Sequence, residues 1–326
     1  MFKESNNTSR TTGNYILGIN IDSDEVLLVY GSPSGTVSEQ LSFPAPKNEI
    51  FQTFLSEIST HVDRLLMITQ AQWLPLPDVV SVSTCGSYDA KTGLLTSSAD
   101  FPLWKNEALR SQLQLRLNLP VHIERKADAG LLAELLFGDL SSQEQSIYLT
   151  FQPRIRAALF SDGKLYSSAG GVSGGLGQMQ LKTPTFKDLS GFDNLNDIAS
   201  GAGLLKLAKL RHPSHWEDQL TIAELIEAAN SGDPYALEVV SEAAQFFGEQ
   251  LQSLIHMLRP TNLIVGYPFN LLGDAWLKPM SDALANSTGL GKNQLPQFSL
   301  STLAKRQPEL EALAPAVYAL RLSSSH

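Results

Sequence analysis

Apolar and polar positions alternate in blocks along this chain. The apolar runs ILGINI at 16–21 and VLLVY at 26–30 flank a polar turn and predict two buried strands joined by a tight connection. A second turn, Ser32-Pro33-Ser34-Gly35, leads into a third strand. The same arrangement recurs about 130 residues later as SIYLTF, the turn Gln152-Pro153-Arg154, IRAALF, the turn Ser161-Asp162-Gly163 and KLYSS. Helical periods lie between and after these hairpins. Residues 47–70 place Ile50, Phe51, Phe54, Leu55 and Ile58 near helical spacing. Residues 233–258 predict one long helix, with Pro234 in its first turn and Arg259-Pro260 past its end. Residues 308–322 predict a last helix, kinked at Pro315. Residues 120–137, PVHIERKADAGLLAELLF, read as a short strand, a polar turn and an amphipathic helix.

Strands alternating with helices give an α/β class. A hairpin opening each half is the pattern of duplicated ribonuclease-H-like, or actin-like, lobes. The length of 326 residues accommodates two domains. Net charge is −9 without any run of Lys or Arg, which argues against a nucleic-acid-binding face and for a cytoplasmic protein. The single cysteine, Cys85, excludes an intrachain disulfide. No stretch reaches the roughly 18 apolar residues of a membrane span. The polar start, MFKESNNTSRTTGN, lacks the apolar core of a signal peptide and is expected to be a disordered tail over 1–14.

Five segments carry a resemblance. They are YILGINIDSDEVLLVYGSPSG at 15–35, the stretch 80–110 with its Asp89-to-Gly93 hairpin, residues 146–182, LNDIASGAGLL at 195–205 and RPTNLIVGYP at 259–268. In order and spacing, together with 120–137, they resemble the ROK family (repressors, open reading frames and sugar kinases). The resemblance implies a two-lobed ribonuclease-H-like fold of the actin-like ATPase and sugar kinase kind, with an interlobe cleft. Lobe one is expected over 15–123 plus 305–326, and lobe two over 124–304. The last helix would cross back to lobe one.

The chemistry departs from the family pattern. A kinase of this class needs phosphate-cradling loops, a carboxylate base and polar sugar-holding groups. Within 120–137, Glu124, Ala127, Ala129, Leu132, Ala133 and Glu134 keep the pattern. Lys126 stands at the position of the general base, Arg125 at that of the sugar-contacting Asn, and Asp128 at that of a second Asn. The first phosphate loop, D-x-G-G-T-K in the family, is Asn20-Ile21-Asp22-Ser23-Asp24-Glu25 here. Its glycines, which let backbone amides approach phosphate, are gone. The second loop is Gln152 to Ala157, without glycine, and the third is Gly266-Tyr267-Pro268. Of the sugar-holding positions, the glutamate of G-E-I-G-H is Gly175 and its histidine Gln178. The glutamate of the L-E segment is Asn196, and the Asn of N-L-P is Asp100.

A zinc site is not expected. The family's zinc-ligating His position is Gln178, and no cysteine lies between 178 and 195. His212 and His215 sit three apart in a proline-broken loop without further ligands. About 14 residues before the first strand leave no room for the family repressors' helix-turn-helix, so no direct nucleic-acid contact is expected.

The reading that follows is a ROK-like pseudokinase without cofactor or metal, acting as a carbohydrate-related sensor or regulatory module. The alternatives are an active ATP-dependent sugar kinase with a rearranged site, and the sensor lobe of a transcriptional regulator that works with a separate DNA-binding partner. The candidate cleft residues are Asp100, Arg125, Lys126, Gln178 and Asn196, facing a sugar or sugar phosphate. Arg125 and Lys126 either hold an anionic ligand or form surface or interlobe ion pairs. A homodimer is expected, because the resemblance implies dimerisation through the second lobe; Val239, Val240, Phe246, Phe247 and Leu251 of helix 233–258 either add apolar surface to that interface or are buried within the lobe. With no nucleotide between the lobes, Asp22, Asp24 and Glu25 either pair with Arg154 and Arg156 across the cleft or leave both turns solvated.

Overall fold

The computed structural model describes residues 15–97, 101–141, 144–167, 174–180 and 191–324, so the expected tail lies outside it. β1 (Ile16–Ile21) and β2 (Glu25–Gly31) pair antiparallel, with Ile16 opposite Gly31. β3 (Val37–Pro44) extends the sheet from β2. α1 (Phe51–Ala71) carries the chain to β4 (Val79–Thr84), parallel to β1. The hairpin of β5 (Ser87–Asp89) and β6 (Leu94–Ser97), then α2 (Leu109–Leu117), precede β7 (Val121–Arg125), parallel to β4. The first sheet has the order β3-β2-β1-β4-β7.

After α3 (Lys126–Phe137) the plan repeats. β8 (Ser146–Thr150), β9 (Arg156–Ser161) and β10 (Lys164–Leu165) form an antiparallel meander. A helical layer follows: α4 (Leu195–Ala199), α5 (Gly201–Arg211), α6 (Ile222–Asn230), α7 (Pro234–Gln250) and α8 (Gln252–Leu258). β11 (Asn262–Val265) lies parallel to β8; α9 (Asp274–Thr288) leads to β12 (Gln297–Leu300), parallel to β11. The second order, β10-β9-β8-β11-β12, matches the first strand for strand. β1, β4, β8 and β11 are buried along their whole length, and β4 buries Ser81, Ser83 and Thr84 among its valines.

The predicted helix over 233–258 is two helices that meet at Leu251. The Asp233 carboxylate caps the first, accepting from the Ala236 amide at 2.8 Å. Val239, Val240, Phe247 and Leu251 are fully buried and Phe246 is 2% exposed, all inside the core of lobe two. That apolar face therefore belongs to the lobe itself and offers no surface to a second copy.

Two helices cross between the sheets. α3 follows the last strand of the first sheet but packs Ala127 and Leu131 on Tyr148, Ala158, Phe160 and Ile264 of the second. α10 (Gln307–Ser324) follows the last strand of the second sheet and packs Ala312, Leu313, Ala316 and Val317 on Ile16, Val29 and Val79 of the first. Leu132 and Ala133 of α3 meet Leu310 and Ala314 of α10. α10 runs on through Pro315, and the next amide, of Ala316, donates to Ser81 Oγ at 3.0 Å. The expected boundary after residue 123 falls inside β7, where Glu124 and Arg125 pair with Ser83 and Thr84. Among the described residues, no helix is long and apolar enough to cross a membrane.

Candidate functional site

The turn from β7 into α3 lies at the junction of the lobes. Arg125 is the extended N-cap residue of α3, so consecutive side chains diverge there. Its Nε donates to Asp128 Oδ2 at 2.6 Å, and Nη2 lies 2.6 Å from the same oxygen. Asp128 sits in the first helical turn, where the helix dipole favours negative charge. Burial nonetheless pushes its carboxyl group upward, with Arg125 opposing. The Glu124 carboxyl is pushed up to about 8, by burial first and then by the Asp128 charge.

Burial raises the Tyr88 hydroxyl to about 12, and the Arg110 guanidinium lies 5.6 Å from its ring centroid. Tyr88, Ala90, Glu124, Arg125, Asp128, Lys164, Leu165, Tyr166, Ser167 and Tyr318 line a cavity of about 180 Å³. It draws on lobe one, the junction, lobe two and α10 together. Aromatic faces combine here with the Glu124 carboxyl group and an already paired guanidinium, a chemistry suited to a neutral polyhydroxylated ligand.

Lys126 points elsewhere. It is 8% exposed, and its ammonium group forms an ion pair and hydrogen bond with Asp22 of the β1–β2 turn. Burial lowers its pKa, while Glu311 on α10 opposes the shift. The Glu311 carboxyl is itself raised to about 7 by burial, against the charge of Lys126. Its Oε2 accepts from Asn20 Nδ2 at 3.4 Å and its Oε1 from Gln307 Nε2 at 3.0 Å. Gln307 also donates to the Tyr148 hydroxyl, and its Oε1 accepts from the Tyr267 amide at 3.1 Å.

Tyr148 explains the one glycine retained in the third loop. A Cβ on Gly266 would lie 2.0 Å from the Tyr148 hydroxyl, and one on Gly130 would lie 2.5 Å from Cε1 of the same ring. The ring is wedged between two glycines, so Gly266 makes room for a side chain.

The other sequence candidates are dispersed. Asn196 Oδ1 accepts from the Ile155 amide at 2.8 Å and so pins the Gln152–Ala157 turn. With Pro153, Arg154 and Lys206 it lines a separate cavity of about 330 Å³ in lobe two. Gln178 is exposed at the end of a short 3-10 turn. Asp100 lies outside the described residues. Of the five, Arg125 alone lines the interlobe cavity, among the described residues. The expected pairing of the first-turn acids with Arg154 and Arg156 is replaced. Asp22 pairs with Lys126 and Asp24 with Lys47, while the charge of Arg156 bears on Asp128. The buried ammonium at the head of α3 is the partner that Asp22 takes instead. His215 Nε2 lies 3.1 Å from Asp233, at the start of α7. Among the described residues no three His, Cys, Asp or Glu side chains gather as metal ligands.

Sequence reasoning missed Tyr148, Gln307, Glu311 and Tyr318. A signal existed: Gln307 and Glu311 stand four apart at the head of a largely apolar helix, and so share a face.

Two five-stranded sheets of one order, exchanging helices around a cleft, define the actin-like ATPase fold of sugar kinases and their repressor relatives. The ROK family model matches residues 16–283, and the chain belongs to the ROK family. The xylose repressor of Caldicellulosiruptor bescii is 27% identical over 66% of this chain and 56% of its own length. The chain thus spans little more than half of that repressor. The glucokinase of Halalkalibacterium halodurans is 20% identical over 82% of this chain and 84% of its own. The crystal structure of a ROK family glucokinase from Streptomyces griseus, in complex with glucose and AMPPNP, matches with a TM-score of 0.79. That likeness holds at 19% identity over 93% of this chain and 99% of the other.

Proposed function

We propose that this chain is a cytoplasmic carbohydrate-binding member of the ROK family that does not transfer phosphate. One observation carries the reading: at the position of the general base stands Lys126, bound to Asp22 and embedded in a buried polar network. An ammonium group has no lone pair with which to accept a hydroxyl proton. Asp22 is the nearest carboxylate, and it already serves as the partner of that cation. The turns that would cradle phosphate carry side chains instead, among them Asp22, Asp24, Arg154 and Tyr267.

Carbohydrate binding draws support from the cavity beside Arg125 and from the glucose named with the Streptomyces griseus relative. Arg125 and Lys126 are both paired with carboxylates, which favours a neutral sugar over a sugar phosphate. A second reading, the sensor part of a transcriptional regulator, draws support from the xylose repressor relative. On either reading a homodimer would have to form on a face other than the buried side of α7.

The test is a thermal-shift screen of the full chain with neutral monosaccharides and disaccharides, sugar phosphates and ATP–Mg²⁺. A rise in Tm with a neutral sugar, and none with ATP–Mg²⁺, is the expected outcome. Transfer of labelled phosphate from ATP to any sugar would overturn the proposal.

A further inference from the structure

The network around Lys126 runs from one lobe to the other. Its lobe-one members are Asn20 on β1 and Asp22 in the following turn. Its lobe-two members are Tyr148 on β8 and the backbone amide of Tyr267. Lys126 at the head of α3, with Gln307 and Glu311 on α10, joins the two sets. Gln307 is fully buried and Glu311 is 3% exposed. Asn20 Nδ2 adds a second anchor, donating to the Pro308 carbonyl at 3.0 Å where α10 begins. The network thereby ties the Asn20–Glu25 turn of one half to the Gly266–Pro268 turn of the other. These are the first and third positions at which the family pattern places phosphate loops.

We propose that this network is a latch, which sets the angle between the lobes by side chains alone and keeps the passage between the two turns closed. Three observations converge on it. The contacts join elements of different lobes through the two crossing helices. Asn20, Lys126, Tyr148, Gln307 and Glu311 are buried, so the loss of any one of these strands a polar or charged partner away from water. Tyr148 is wedged between Gly130 and Gly266, which fixes its hydroxyl as the lobe-two anchor. The inference does not depend on sugar binding, and its test uses no ligand. Failure of the carbohydrate reading would leave it standing, and the reverse also holds.

The experiment measures the distance between lobes. Spin labels are placed at Thr60→Cys on α1 and Lys278→Cys on α9, both exposed positions, while Cys85 is buried. Pulsed dipolar spectroscopy on the otherwise unaltered chain should give a single narrow distance distribution. Lys126→Met, Asp22→Asn and Tyr148→Phe should each add a second population at a different distance. Asp22→Asn guards against a variant that fails to fold, since the Asp22 side chain is 32% exposed and the change removes only charge. The latch is overturned if folded Asp22→Asn and Tyr148→Phe proteins keep the single parental distribution. It is equally overturned if the parent already samples several distances.

Discussion

Lys126 and Asp22, 104 residues apart in the chain, form an ion pair where the two lobes meet. The pair joins the head of α3 to the β1–β2 turn and places a cation where the family pattern has a carboxylate. Glu311 adds a second negative charge to the same cation, and Asn20 and Gln307 hold Glu311 in place. On the proposed reading, the residue at the position of the base binds a residue of the first phosphate-loop position.

Lys126→Asp should not create a kinase. The new carboxylate would face Asp22 and Glu311 without a cation between them. Removing one partner of a buried pair costs about 3–5 kcal/mol, and the partial exposure of Asp22 sets the low end here. Urea denaturation should show that loss, and a coupled ATP-consumption assay with sugars should stay at background.

Gly266→Ala should destabilise the chain through Tyr148. The added Cβ would lie 2.0 Å from the hydroxyl and 2.8 Å from the Leu149 carbonyl oxygen. Overpacking of this kind costs about 1–3 kcal/mol. Tyr148→Phe alone takes the hydroxyl partner from Gln307 and costs on the order of 1 kcal/mol. The double variant should lose less than the sum, since the hydroxyl is the atom in closest conflict. A double-mutant cycle by chemical denaturation measures the coupling.

Stability should fall as pH rises through neutrality, partly because of Glu311. Its carboxyl is raised from 4.5 to about 7 in the folded chain, so the folded state holds a proton that the unfolded state has released between those values. The associated stability is fully present below about 4.5 and is lost as pH rises through about 7. Glu124, raised to about 8, acts in the same direction and extends the window upward. Denaturation midpoints from pH 5 to 8 should show a flatter decline for Glu311→Gln than for the parent. Equal slopes would contradict the assignment.

Two substitutions separate the cavities. Tyr166→Ala removes an aromatic wall of the interlobe cavity at a side chain already 54% exposed. It should weaken binding of a neutral sugar roughly tenfold, about 1.4 kcal/mol, with little change in Tm. Asn196→Ala leaves the Ile155 amide without its acceptor and should cost about 1 kcal/mol of stability while sparing sugar affinity. Calorimetric titration beside thermal melting distinguishes the two outcomes.

The sheets were legible in the sequence because a buried strand leaves a local mark. ILGINI and SIYLTF each open a hairpin, and the two hairpins announced a duplication that extends to both five-stranded sheets. The Leu251 break between α7 and α8 was not legible, since neither Gly nor Pro stands there. Nor was the network, whose members at 20, 22, 126, 148, 307 and 311 meet only in three dimensions. Asp22 was read as either paired with Arg154 or Arg156 or solvated, and Lys126 as either an anion holder or an ion-pair residue; the structure joins the two in one ion pair. The sequence shows Arg154 and Arg156 in the matching turn but not which cation lies at hand. Gly266 was read as the remnant of a nucleotide loop, whereas its neighbour is a tyrosine ring.

The measurement that bears most directly on the central claim is a calorimetric titration of ATP–Mg²⁺ into the full chain, with and without a neutral sugar that raises its Tm. The proposed latch and a tethered Lys126 predict no nucleotide binding up to millimolar concentration in either case. A dissociation constant below about 100 μM, roughly 5.5 kcal/mol of binding, would contradict the account and return the chain to the working sugar kinases.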